Sequence, residues 1–154
     1  MQTSGIQTRH SAMSLSYLDN IQQSQKKYAA LLEPLCKQYD LTRNELDVIL
    51  FLANNPLFDR AADIVAIRRI AKSHVSLSVG NLEKRNLLVR EFEESDRRVA
   101  HLHLTEEALP IAEAGKALQQ KFFSQIFSGL TRKELELWGA ILEKICANIE
   151  TLEV

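Results

Sequence analysis

The chain has 154 residues, 45% of them apolar, and a net charge of −1 at pH 7, which suits one domain with a real core and excludes a disordered chain. No apolar run approaches the length of a membrane span, and the polar stretch Met1–Met13 lacks the apolar block of a secretory signal, so a cytoplasmic protein with no membrane partner is expected. Cys36 and Cys146 have no C-x-x-C spacing, which predicts two reduced, buried thiols rather than a disulfide framework or a zinc knuckle.

In chain order, Leu15, Leu18, Ile21, Tyr28, Leu31, Leu32 and Leu35 follow helical spacing with polar residues between them, which predicts a first helix from Ser14 to Gln38. Thr42-Arg43-Asn44-Glu45 has the pattern of a capping box and opens a second helix with Leu46, Ile49, Leu50 and Ala53 on its apolar face. Asn54-Asn55-Pro56 ends it, because proline lacks the N–H and disfavours helix in the residue before it. Asp59 is the expected cap of a short third helix through Ala62, Ile64, Val65 and Ile67. After the basic turn Arg68-Arg69, a fourth helix runs to about Arg85, and Asn86 ends it in the left-handed conformation. Leu87–Glu93 and Arg98–Leu104 then read as a β-hairpin, with His101, Leu102, His103 and Leu104 alternating polar and apolar. Thr105 is the expected cap of a long fifth helix containing Leu109, Ala112, Leu118, Phe122, Ile126 and Phe127. A second capping box, Thr131-Arg132-Lys133-Glu134, opens a sixth that carries Leu135, Trp138, Ile141, Leu142, Ile145 and Ile149.

Four helices, a hairpin and two further helices give a mainly α chain with a winged helix-turn-helix at its centre. One domain over 1–154 is expected, with the lobe at 41–104 and the helices of 14–40 and 105–154 serving dimerisation. The first, fifth and sixth helices carry more apolar surface than a lobe of that size can cover, and a two-fold homodimer is the commonest outlet.

Charge is distributed unevenly. Arg60–Arg90 holds seven Lys and Arg against two acids, as expected where only the middle of the chain meets a polyanion. Within it, Val75, Val79 and Leu82 share the core side of the fourth helix. Ser73, Leu77, Gly80, Asn81 and Lys84 lie opposite, with His74 and Ser76 at the margins. Such a face is slim enough for a major groove and rich in hydrogen-bonding groups. With the basic residues Arg68, Arg69 and Lys72 before it, this face makes double-stranded DNA the expected partner. At the hairpin tip, Arg97 and Arg98 suit a narrow minor groove or phosphates, and Asp96 is expected to hold an arginine by a bidentate ion pair.

Ile70-Ala71-Lys72-Ser73-His74-Val75-Ser76, then Leu82-Glu83-Lys84-Arg85-Asn86-Leu87-Leu88-Val89-Arg90, Asp96-Arg97-Arg98 and Leu102-His103-Leu104-Thr105-Glu106 resemble the MarR family of bacterial transcriptional regulators. The resemblance extends over about Leu41–Ala108 by motif and over the chain by element order. It implies a dimeric repressor or activator on a pseudo-palindromic operator, with recognition helices in successive major grooves and the wing arginines in the flanking minor groove. It also implies a small phenolic or lipophilic effector, with Tyr28, Tyr39 and Phe51 as pocket candidates. Three residues depart from the family pattern: Leu77 where a basic residue is common, and Asn86 and Ala108 where glycine is. Leu77 cannot bind phosphate; it either meets a thymine methyl or packs inward.

Other chemistry finds less support. His101 and His103 share a strand face but have no third metal ligand near in sequence, so neither a metal nor another cofactor is expected. Cys36 resembles the thiol of peroxide-sensing members only loosely. There is no phosphate-binding glycine loop, nucleophile elbow or H-E-x-x-H, so catalysis is not expected. The competing expectation is a winged helix that contacts another protein through the same face.

Overall fold

The computed structural model describes the backbone of residues 4–152 and the side chains of residues 16–152. The side-chain readings at Met1–Met13 and Leu15 lie outside the described residues. The chain forms two compact units, Met1–Gln119 and Gln120–Val154.

The element order matches expectation: helices α1 (Ser4–Gln38), α2 (Arg43–Asn54), α3 (Ala61–Arg68) and α4 (Lys72–Lys84), strands β1 (Leu88–Phe92) and β2 (Ala100–Leu104), then α5 (Leu109–Ile126) and α6 (Arg132–Glu150). The start of α1 is a correction, since it precedes the expected Ser14 by ten residues. Apolar periodicity locates a buried stripe rather than a helix end, and no proline stands ahead of Leu15 to stop the helix.

In the first unit, Leu32 and Leu35 of α1 pack with Leu46, Ile49, Leu50 and Phe51 of α2, Ile64 of α3, Val75, Val79 and Leu82 of α4, Leu88 and Leu102 of the hairpin, and Ile111 of α5. The three residues assigned to the core side of the fourth helix are therefore in the core. At the start of α2, the Thr42 hydroxyl accepts from Glu45 N–H at 3.3 Å while the Glu45 carboxylate accepts from Thr42 N–H at 2.7 Å, as the capping box predicts. Asn86 ends α4 at φ 57°, again as expected, and Leu87 N–H returns to the Leu82 carbonyl at 2.9 Å. Asp40 at φ 50° and Arg69 at φ 54° end α1 and α3 in the same left-handed region.

Two expected caps are corrected. The residue at the cap position of α3 is Arg60, whose N–H donates to Asp63 at 3.1 Å. Asp59 faces the hairpin instead, where its carboxylate meets His101 at 2.8 Å and its carbonyl accepts from Leu102 N–H at 2.7 Å. Thr105 precedes a short 3-10 turn, Glu106–Ala108, and its hydroxyl donates to the Asn86 carbonyl at 2.7 Å rather than capping a helix. That bond closes the base of the hairpin, beside the pair Leu88–Leu104; the ladder ends toward the tip at Phe92–Ala100.

The second unit comprises the end of α5 and α6. The α6 capping box forms as read, with Thr131 N–H to Glu134 at 2.7 Å. Phe123 stacks on Phe127, and Phe127 meets Trp138 edge-on with ring centres 4.9 Å apart. No residue of α6 is buried within the chain.

Candidate nucleic-acid interface

The helix-turn-helix is α3, the turn Arg69-Ile70-Ala71, and α4. Ala71 sits at the cap position of α4 without a side-chain hydrogen bond, and the first turn of the helix carries no acid. Among the described residues no side chain caps this helix end, which begins with the cation Lys72.

Lys72, Ser73, His74, Ser76, Leu77 and Lys84 are all exposed. Leu77 is 64% exposed, so of the two alternatives for this side chain it takes the outward one. Asn81 differs from the others. It is half-buried, and its amide donates to the Glu45 carboxylate at 3.0 Å, turning it toward α2 and off the open face. Burial pushes the Glu45 carboxyl up, but hydrogen bonds from Thr42 and Asn81 and the field of Arg85 outweigh it and hold the group below the ordinary carboxylate range.

Of the basic residues in the turn, Arg68 lies 3.8 Å from Asp47, while Arg69 makes no ion pair among the described residues. At the hairpin tip Asp96 grips Arg98 as expected, with Nε at 3.1 Å from one carboxylate oxygen and Nη2 at 3.2 Å from the other. The Arg98 N–H adds a third bond at 3.0 Å. This guanidinium holds the Asp96 carboxyl below its usual range. Arg97 is exposed and unpaired among the described residues.

The pair of wing histidines is arranged differently from a metal site. His101 Nδ1 faces Asp59 at 2.8 Å and Nε2 faces Glu93 at 3.2 Å, so its two nitrogens point at two carboxylates on opposite sides. His103 Nε2 lies 3.3 Å from Glu91. Among the described residues no group of three or more His, Cys, Asp or Glu is placed to hold a metal ion. Hydrogen bonds that the protonated ring donates to Asp59 and then to Glu93 raise the His101 pKa above its ordinary 6.5.

Because the folded value is the higher, this cluster contributes stability that is fully present below about pH 6.5 and is lost as pH rises through the raised value. In urea titrations between pH 6 and 8.5, the stability advantage of wild type over His101→Gln should shrink as pH rises. An advantage equal at both ends of that range would refute the assignment.

Of the effector-pocket candidates, Phe51 is buried in the core. Tyr28 and Tyr39 are half-buried against it, and the Tyr28 hydroxyl accepts from Gln119 at 2.7 Å. A cavity of about 370 Å³ lies elsewhere, behind α4, lined by Ala62, Val65, Val75, Val79 and Leu102 with Lys72, Ser76 and Arg90. Cys36 is half-buried. Burial pushes its thiol pKa up against the field of Arg43, the reverse of what a reactive thiolate needs. Cys146 is exposed, which corrects its expected burial. It lies on α6, where no residue is buried within the chain. No helix among the described residues is long and apolar enough to cross a membrane.

The family model for MarR matches residues 39–99, the segment from the α1–α2 corner through the hairpin tip. A MarR family transcriptional regulator from Silicibacter pomeroyi superposes with TM-score 0.74 at 20% identity, over 91% of this chain and 92% of that one. A putative MarR family regulator from Listeria monocytogenes, solved with a 26mer DNA, gives 0.76 at 18% identity over 86% and 87%. Bordetella bronchiseptica BpsR, whose DNA binding is regulated by 6-hydroxynicotinic acid, gives 0.64 at 20% identity over 86% and 98%. The match to the MarR family model lies on the helix-turn-helix and wing, and the likeness to these solved structures extends over most of the chain, which has a winged helix-turn-helix fold.

Proposed function

We propose that this protein is a transcriptional regulator that binds a pseudo-palindromic DNA operator as a homodimer, with α4 in the major groove and the hairpin arginines in the adjacent minor groove. A single observation carries this: the outer face of α4, from Lys72 and Ser73 through Leu77 to Lys84, is solvent-exposed and free of acids except Glu83 at its edge. Glu83 is itself paired to Arg90 at 3.3 Å. Residues Arg68, Arg69 and Lys72 supply phosphate contacts. Ser73, His74, Ser76 and Leu77 face base edges, Asn81 stands at the inner margin, and Lys84 closes the far end. Arg98, steadied by Asp96, and the exposed Arg97 reach the minor groove. The Listeria relative solved with DNA supports this partner.

Dimerisation rests on unburied apolar surface. Tyr17 and Leu18 of α1, Phe123 of α5, and Leu137, Trp138 and Ile149 of α6 are all exposed in the single chain, and apolar surface on that scale marks an interface. The cavity behind α4 offers an apolar space with two cations at its lining, and occupation by a small effector there would bear directly on the seat of the reading helix.

Selection of bound sequences from random duplex DNA tests the proposal. A two-fold symmetric consensus is the expected result, and no enrichment at low salt would favour a protein-interaction module instead. The double substitution Arg97→Ala with Arg98→Ala should lower the slope of log affinity against log salt by about one to two, since each cation withdrawn from the duplex leaves about one more counterion in place.

A further inference from the structure

We propose that Arg85 is a positioning residue which, together with Asn81, latches the reading helix to the corner between α1 and α2 and so sets the angle at which that helix meets DNA. The inference rests on the DNA-binding function proposed above, but the latch itself is a feature of the free protein.

The corner supplies the acceptors. Asp40 takes the left-handed conformation at the end of α1, and Leu41 N–H folds back to the Cys36 carbonyl at 2.8 Å. The carbonyls of Tyr39 and Asp40 are then left beyond the last turn, where a helix end carries partial negative charge. Arg85 collects both: Nη1 donates to the Asp40 carbonyl and Nη2 to the Tyr39 carbonyl, each at 2.6 Å. One turn earlier on the same side of α4, Asn81 donates to Glu45, the residue that also caps α2 through Thr42 N–H. Ser78, a further three residues back, is buried on this stripe.

Two adjacent carbonyls suit a planar guanidinium fork, which presents two N–H groups at fixed spacing. The single ammonium of lysine lacks that fork. A cation that the sequence would count toward the phosphates is thus engaged by the α1–α2 corner in the free protein. Arg85 ties α4 to the end of α1, and Asn81 ties it to the first turn of α2.

The test uses the full chain as wild type, Arg85→Ala and Arg85→Lys. Without DNA, amide hydrogen exchange at Leu41 and Leu87, on either side of the latch, should quicken about tenfold in both variants, as loss of a charge-assisted hydrogen bond implies. The interior of α2 should be unchanged. On the duplex enriched by selection, both variants should lose about tenfold in affinity, and on a scrambled duplex of equal length no more than about twofold, with the salt slope of wild type retained.

Parallel weakening on both duplexes with a slope reduced by about one would make Arg85 a phosphate ligand and overturn the proposal. Full activity of Arg85→Lys would overturn it too, by showing that charge alone suffices, and so would unchanged exchange at Leu41 and Leu87. If wild type enriches no sequence, DNA binding falls as the function, and the exchange result alone decides the latch.

Discussion

Leu77→Glu should lower affinity for the selected duplex by about 100-fold or more while leaving the thermal melt of the protein within a few degrees of wild type, because repulsion between like charges at close range amounts to several kcal/mol. Leu77 is 64% exposed in the middle of the outer face of α4, so the fold gains little from its side chain. Substitutions at such surface positions usually change stability by no more than about 0.5 kcal/mol. In a major groove, a carboxylate at this position would meet base acceptors and lie between two phosphate strands. Leu77→Gln, of similar size without the charge, should lose only about 2- to 5-fold, the scale of one surrendered apolar contact. Fluorescence anisotropy at fixed salt reads the affinity and circular dichroism reads the fold. Wild-type affinity in Leu77→Glu would remove α4 from the DNA.

The second large effect concerns stability. Gly115 of α5 lies against α2 so closely that a Cβ built there would stand 2.5 Å from Leu50 Cδ2 and 3.3 Å from both Cδ1 and Cγ. Leu50 is wholly buried. Ordinarily, replacing a helical glycine gains about 1 kcal/mol. Here overpacking opposes that gain, and it typically amounts to about 1–3 kcal/mol. Gly115→Val should therefore destabilise by about 2–3 kcal/mol in urea titration, and Gly115→Ala by about 1 kcal/mol or less. Leu50→Ala removes the obstacle at a loss of about 2–5 kcal/mol of its own, and in that background Gly115→Ala should become stabilising. Additive effects of the two substitutions would disprove the contact.

The fold was legible wherever its causes were local. The capping boxes at Thr42 and Thr131, the left-handed Asn86 and the alternation around Leu102 all rest on interactions within a few residues, and each appears as read. Misreadings arose where a side chain had a distant competitor. Asp59 has the right chemistry for a helix cap, yet His101, 42 residues away, takes its carboxylate. Thr105 is likewise claimed by the Asn86 carbonyl across the hairpin base. Arg85 looked like one more cation of a basic run, since nothing near it in sequence shows that it reaches back to Tyr39 and Asp40. On the candidate interface, helical spacing sorted Val75, Val79 and Leu82 from Ser73 and Leu77. It put Asn81 on the open face with the latter two, whereas Glu45 draws the amide toward α2, a contact that helical spacing does not reveal.

The three left-handed corners bear on mutational tolerance. Asp40, Arg69 and Asn86 each carry a Cβ through a region of backbone space where only glycine is free of steric opposition, a burden of about 1–2 kcal/mol per residue that asparagine and aspartate partly relieve. Branched side chains such as valine or isoleucine are thereby barred from all three positions, whatever their hydrophobicity. Glycine is admissible at each, so the lobe retains room to grow sturdier through backbone changes alone, with no alteration to the helix face that would read a sequence.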